Sequence, residues 1–257
     1  MKHRIHTILK CCGGLLVVGL FGLNAFARDG FPQRVLFVGN SYFYYNNSLH
    51  NHVKGFVEAG FAEQAKGLQY KSATIGGANL DHHPIEWLTE PGRIGVQKPF
   101  EWVVLAGNSA DALSDGSRQK FTQTVRRFHQ IIQSRGAKTA LYMTHAYVSP
   151  HRQSSPANLQ KIEEMYSAAA KELNATVIPV GLAFEAAYKR RPGMVLHDDH
   201  DGSHPSLLGT YLAAAVVYAT LYGVDPVGSG YSYRGKVSAE NALFLQQVAR
   251  DVALQRL

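Results

Sequence analysis

Five short apolar runs punctuate the chain, and each gives way to a stretch in which apolar residues recur every three or four positions. Residues 34–39 (Arg-Val-Leu-Phe-Val-Gly) read as a buried strand closed by glycine. Residues 70–75, closed by Gly76-Gly77, and residues 102–106, closed by Gly107, repeat the pattern, and residues 139–144 and 176–180 read as a fourth and a fifth strand. Between them, residues 47–65 read as helix. Residues 117–134 carry Phe121, Val125, Phe128, Ile131 and Ile132 on one helical face. Ser155-Pro156 offers a capping residue and a first-turn proline to a helix bearing Leu159, Ile162, Tyr166, Ala169 and Leu173. Residues 183–188, 206–222 and 238–254 complete the helices. Such alternation predicts an α/β fold, a parallel sheet with helices on both faces. In that architecture ligands sit outside the carboxyl ends of the strands, where the polar, glycine-bearing segments after the first three strands fall.

The first 27 residues break this pattern. Lys2, Arg4 and Lys10 stand without an acid, residues 13–23 are apolar, and Ala25-Phe26-Ala27 supplies small residues at an A-x-A cleavage site. These features predict a secretory signal peptide over residues 1–27, cleaved after Ala27, and a single mature domain over residues 28–257, exported to the periplasm or beyond. The apolar run is shorter than the about 20 residues a membrane span needs, so no stable membrane insertion is expected after cleavage. An uncleaved anchor is the alternative. Both cysteines, Cys11 and Cys12, lie in this segment, which leaves the mature chain without a disulfide framework, a thiolate metal site or a cysteine nucleophile. The chain is 46% hydrophobic and 18% charged, enough apolar material for one sizeable core. Removing the three signal cations from the formal charge of +7 leaves a mild excess of about +4. No Lys/Arg cluster with interleaved aromatics points to nucleic acid.

Four segments carry candidate chemistry. Gly39-Asn40-Ser41 follows the first strand, where a serine hydroxyl can leave the sheet and its N–H opens a helix. The same tripeptide is also an ordinary turn sequence. Asp201-Gly202-Ser203-His204-Pro205 precedes the helix from Ser206. An aspartate three residues before a histidine can accept the Nδ1–H and leave Nε2 free to take the serine proton. Gly76-Gly77-Ala78-Asn79 and Gly107-Asn108-Ser109 follow the second and third strands and offer a backbone N–H and a side-chain amide to an oxyanion.

In this order, the four segments resemble the SGNH/GDSL hydrolases from Val35 to about Ala214, most closely the branch whose first block reads Leu-Phe-Val-Gly-Asn-Ser-Tyr, here from Leu36 on. The resemblance implies a three-layer α/β/α sandwich with a mostly parallel five-stranded, flavodoxin-like sheet. It also implies an esterase acting on acetyl or short acyl esters of carbohydrates or lipids without a cofactor. The implied roles are Ser41 as nucleophile, Asp201 and His204 as the rest of the triad, and Ser41, Gly77 and Asn108 as oxyanion donors, with Gly76 an alternative to Gly77. Asn40 stands where the family's shorter name has aspartate, and the spacer between Gly107 and Asn108 is missing. Tyr42, Tyr44, His83 and Tyr147 are the candidate substrate-binding residues, with Trp87 beside them. The expected partner is a small-molecule or polysaccharide ester.

Two other readings compete. The run His197-Asp198-Asp199-His200-Asp201-Gly202-Ser203-His204 is dense in ligand types that suit zinc or manganese, and His82, His83 and His145 are candidates to join it. That would make a metal-dependent hydrolase, and Asp198 and Asp199 also rival Asp201 as the partner of His204. The other alternative is a glycan-binding module that keeps the fold without the reaction. The sequon Asn46-Asn47-Ser48 reads as coincidence beside a bacterial-type signal.

Overall fold

The computed structural model describes residues 30–254; the expected signal peptide lies outside them. Five strands, β1 (Arg34–Gly39), β2 (Gln69–Thr74), β3 (Trp102–Leu105), β4 (Lys138–Tyr142) and β5 (Thr176–Ile178), form one sheet. The helices are α1 (Ser41–Tyr44), α2 (Leu49–Gly60), α3 (Ala62–Ala65), α4 (Ile85–Leu88), α5 (Asp115–Ser134), α6 (Asn158–Leu173), α7 (Val180–Arg190), α8 (Leu207–Tyr222) and α9 (Ala239–Ala253). Every strand pair is parallel, in the order β2-β1-β3-β4-β5. The expected α/β sheet is therefore present and wholly parallel. Its strand order reverses between β1 and β3, and a cleft at such a switch point is where open α/β sheets take ligands.

Side-chain alternation divides the core in two. Val35, Phe37, Val104, Ala106, Ala140 and Tyr142 point to one face, where α2, α7, α8 and α9 cover them. Leu36, Val38, Val103, Leu105, Leu141 and Met143 point to the other, against α4, α5 and α6. Helix α8 is apolar nearly all round because it lies within the first layer, packed by α2, α7 and α9.

Several boundaries differ from the sequence reading. The helix expected over residues 47–65 starts later and breaks. Asn46, Asn47 and Ser48 all have positive φ, so no helix can begin there. At Phe61 the backbone leaves the helical region (φ −142°, ψ 57°), and the Phe61 ring meets Phe31 edge-on. Ser155 does not cap α6. Its hydroxyl and carbonyl accept the N–H groups of Ala157 and Asn158 in a turn that precedes the helix. Strand β5 stops at Ile178 because Pro179 has no N–H to continue the ladder and opens α7 instead.

Candidate active site

The end of β1 is tightly packed. A Cβ on Gly39 would meet Ala106 Cβ and the Phe43 ring at 3.1 Å. Asn40 follows in extended conformation and caps α1, its Oδ1 accepting the Tyr42 N–H at 3.2 Å. Its Nδ2 donates to the carbonyls of Gly107 (3.1 Å) and Ala78 (3.3 Å). One buried amide thus ties together the segments after β1, β2 and β3. An ionised aspartate has no hydrogen to donate to those carbonyls.

Ser41 is the first residue of α1 and is buried to 8% exposure. Its Oγ donates to His204 Nε2 at 2.8 Å. The His204 Nδ1–H donates to Asp201 Oδ2 at 2.5 Å, which fixes the tautomer that leaves Nε2 as acceptor. The other Asp201 oxygen accepts the N–H groups of Ser203 (2.7 Å) and His204 (2.9 Å). Burial works to raise the Asp201 carboxyl, and the hydrogen bonds from His204 and Ser203 outweigh it and hold it below the ordinary carboxylate range. It is therefore an anion at neutral pH, able to stabilise an imidazolium next to it. Asp198 and Asp199, its sequence rivals, turn instead to His200 at the surface.

Gly77 and Asn108, after β2 and β3, meet across the end of β1, which lies between those strands. Gly77 has φ +67° in the turn closed by Ala78 N–H on the Ile75 carbonyl, a conformation that demands glycine. Its own N–H takes no backbone acceptor among the described residues. Asn108 Nδ2 donates to the Gly77 carbonyl at 2.9 Å and keeps a second hydrogen free of protein. The Ser41 N–H, first in its helix, has no intrahelical acceptor either. Asn40, the residue before Ser41, ties the two segments that carry Gly77 and Asn108 to the start of α1 through the carbonyls of Ala78 and Gly107. Asn108 is itself held by Asp111, a buried carboxylate whose Oδ2 accepts the Asn108 N–H at 2.7 Å. Burial pushes the Asp111 carboxyl up to about 6, although the Asn108 N–H pulls it down.

The four expected substrate residues fall in different places. Tyr42 is 3% exposed, stacks on His145 and shares a hydrogen bond with the Ser203 hydroxyl at 3.0 Å. It supports the histidine loop from beneath. His83 is 4% exposed and its Nε2 meets the Gly39 carbonyl at 2.9 Å, so it braces the end of β1. Tyr147 donates its hydroxyl to Ser109 Oγ at 2.6 Å and stacks on His151. Only Tyr44 of the four offers an open ring, 42% exposed and close to Gly76. Trp87, on α4, is exposed to 46%.

The histidines of the rival metal reading do not converge. His145 and His197 point Nε2 at the carbonyls of Ser203 (2.8 Å) and Ala146 (3.0 Å), and His83 is bonded to Gly39. Among the described residues, the group with ligand atoms close enough for an ion is Asp198, Asp199 and His200, at the surface and apart from Ser41. Sequence reasoning missed the bridging of Asn40, the buttress of Asp111 and the face-on stacking of Tyr45 over His204, 4.2 Å between centroids. The tyrosine run after Ser41 was the one available signal for the last.

Comparison with known proteins bears on the fold and the family. No curated protein gives a significant match. The chain is similar in fold to a DUF4886 family protein from Bacteroides uniformis (TM-score 0.65, 17% identity, covering 86% of this chain and 95% of that one). It is also similar to an acetyl xylan esterase (TM-score 0.57, 17% identity, 72% and 98% covered). A third similar structure is a catalytic mutant of an acetylxylan esterase from Geobacillus stearothermophilus (TM-score 0.57, 17% identity, 77% and 97% covered). The model of the GDSL-like Lipase/Acylhydrolase family matches residues 37–212, a span that holds every residue of the hydrogen-bonded chain just described. With more than half its length matched, the chain belongs to the GDSL-like lipase/acylhydrolase family and is a serine ester hydrolase.

Proposed function

We propose that this protein is an exported esterase that removes acetyl or other short acyl groups from carbohydrate esters through an acyl-enzyme on Ser41. The observation that carries the reading is the continuous chain Ser41–His204–Asp201, with hydrogen bonds of 2.8 and 2.5 Å. His204 takes the Ser41 proton as the hydroxyl attacks the ester carbonyl. The N–H groups of Ser41 and Gly77 and the amide of Asn108 hold the oxyanion. His204 then protonates the departing alcohol, and water hydrolyses the acyl-enzyme by the same route. Asp201 keeps the imidazole oriented and balances its charge.

Two observations support a carbohydrate ester over a lipid. Tyr44 presents an open aromatic face beside the glycine turn, the kind of surface on which a sugar ring packs. Two of the similar structures are acetylxylan esterases. Export rests on the first 27 residues alone, and no helix among the described residues is long and apolar enough to cross a membrane.

The test is acetate release from acetylated xylooligosaccharides, run beside p-nitrophenyl esters of increasing chain length, with the protein from Arg28 onward and its Ser41→Ala variant. The expected result is acetate release, a rate falling with acyl length, and a loss of about a thousandfold or more in Ser41→Ala. Equal rates in both proteins would end the acyl-enzyme reading. A preference for long chains would replace carbohydrate with lipid.

A further inference from the structure

The segment that follows the nucleophile holds the longest run of non-glycine residues at positive φ among the described residues. Asn46 (φ 52°), Asn47 (φ 73°) and Ser48 (φ 65°) stand in succession at positive φ, and none is glycine. Such conformations persist only where the surroundings impose them, and they cluster where geometry matters to function. Here the surroundings can be named. Asn46 Nδ2 donates to the Pro205 carbonyl at 2.8 Å and to Thr210 Oγ1 at 2.9 Å. Its own carbonyl accepts His52 Nε2–H at 2.6 Å, and His52 Nδ1 then accepts the Tyr231 hydroxyl at 3.0 Å. His52 is fully buried, and a Cβ on Gly55 would overlap the Tyr231 ring, so this buttress sits in a space shaped for it.

The segment reaches His204 from two sides. Tyr45 lies flat on the imidazole, 4.2 Å between centroids and 8° between planes. Asn46 grips the carbonyl of the next residue after His204 and the first turn of α8. Asp201 fixes one edge of the imidazole, but it cannot by itself fix the tilt of the ring about the Nδ1–Oδ2 line. A flat partner on the ring face removes that freedom. The ring face also carries negative potential, which favours the imidazolium formed as Ser41 attacks.

We infer that Tyr45 and Asn46 are positioning residues that hold His204 in line with Ser41, the strained backbone being the link that makes nucleophile and base one unit. This rests on Ser41 being the nucleophile, as proposed above.

A fluorophosphonate probe reports the alignment of serine and base without depending on the natural substrate. The variants are Tyr45→Leu, Tyr45→Phe and Asn46→Gly, the last keeping a residue that accepts positive φ while removing the amide. Tyr45→Leu and Asn46→Gly should label about ten- to a hundredfold more slowly at Ser41, with KM for p-nitrophenyl acetate changed less than about twofold. Tyr45→Phe, which keeps the ring face, should label at the original rate. A role confined to stability would lower the melting temperature and leave the labelling rate of the folded protein alone. Original rates in both Tyr45→Leu and Asn46→Gly would overturn the proposal, as would a Tyr45→Phe as slow as Tyr45→Leu. If Tyr45→Leu does not fold, Asn46→Gly decides. Failure of the unsubstituted protein to label at Ser41 would remove the nucleophile and the proposal together. Labelling of that protein with undiminished variants would remove the positioning role alone.

Discussion

Asn108 shows how much one side chain at a strand end is asked to do. Its Oδ1 accepts the Ala110 N–H at 3.0 Å, its Nδ2 meets Gly77, and its N–H is held by Asp111. Asn108→Ala keeps the backbone hold of Asp111 and loses only the amide. Turnover of p-nitrophenyl acetate should fall about a hundred- to thousandfold, the usual loss for one oxyanion donor, with an unchanged circular dichroism spectrum. Near-normal turnover would take Asn108 out of the site. Ser41, Asp201 and His204 were legible in the sequence because few residue types can act as nucleophile, base and orienting anion, and each sits within two residues of a glycine or proline that marks a loop. The bridging of Asn40 was not legible. Its partners, the carbonyls of Ala78 and Gly107, lie 38 and 67 residues away, and only the sheet order brings them within reach of one amide. His83 misled for the same reason: a histidine near a glycine turn looks exposed until the fold lays it against the Gly39 carbonyl.

At the scale of elements, the base depends on how the loop between α7 and α8 is pinned to the end of β4. Gly202 is the closest point of approach. Its N–H donates to the Asp198 carbonyl and its carbonyl accepts the Val148 N–H, both at 2.9 Å. It has φ +62°, and a Cβ there would lie 2.2 Å from the Val148 carbonyl oxygen. Neither atom is the tip of a flexible side chain, so Gly202→Ala must move one of the two loops. The residues on both sides of it, Asp201 and Ser203, would move with it. We expect a stability loss of about 1–3 kcal/mol from the backbone conformation alone, read by urea denaturation. We also expect kcat for p-nitrophenyl acetate to fall by about tenfold or more. Full activity with full stability would mean that the loop tolerates the shift. The elements themselves were mostly legible: apolar runs, the first three closed by glycine, located all five strands. Helix starts were less so: Ser155 fits a cap pattern but sits in a turn closed locally by the Asn158 side chain on the Gln153 carbonyl, and the start expected near Asn47 is displaced by the tertiary clamp of Asn46 on Pro205.

For the whole molecule, the parallel sheet gathers at one end not only the triad but a set of histidines that folding keeps neutral. His52, His83, His145 and His197 are all buried. Burial lowers the pKa of each, that of His145 well below the usual value and that of His197 to about 4. A histidine with a depressed pKa contributes stability above its unfolded value near 6.5 and loses that contribution as pH falls toward its folded value. Each such group removes at most about 1.4 kcal/mol of stability per pH unit below that point, and all four act in the same direction. Asp111 opposes them: its raised pKa, about 6, favours the folded state as pH falls from there toward the usual carboxylate value. One carboxyl cannot offset four imidazoles. Stability should therefore be greatest from about pH 7 to 8 and decline on the acid side, with urea-derived unfolding free energy falling between pH 6.5 and 5. A value that stays level over that interval would show that these rings are hydrated or already charged in the native state. Replacing His197 by Gln, which keeps a donor for the Ala146 carbonyl and an acceptor for Tyr188, should flatten the curve at its acid end, since that ring takes up its proton only on unfolding.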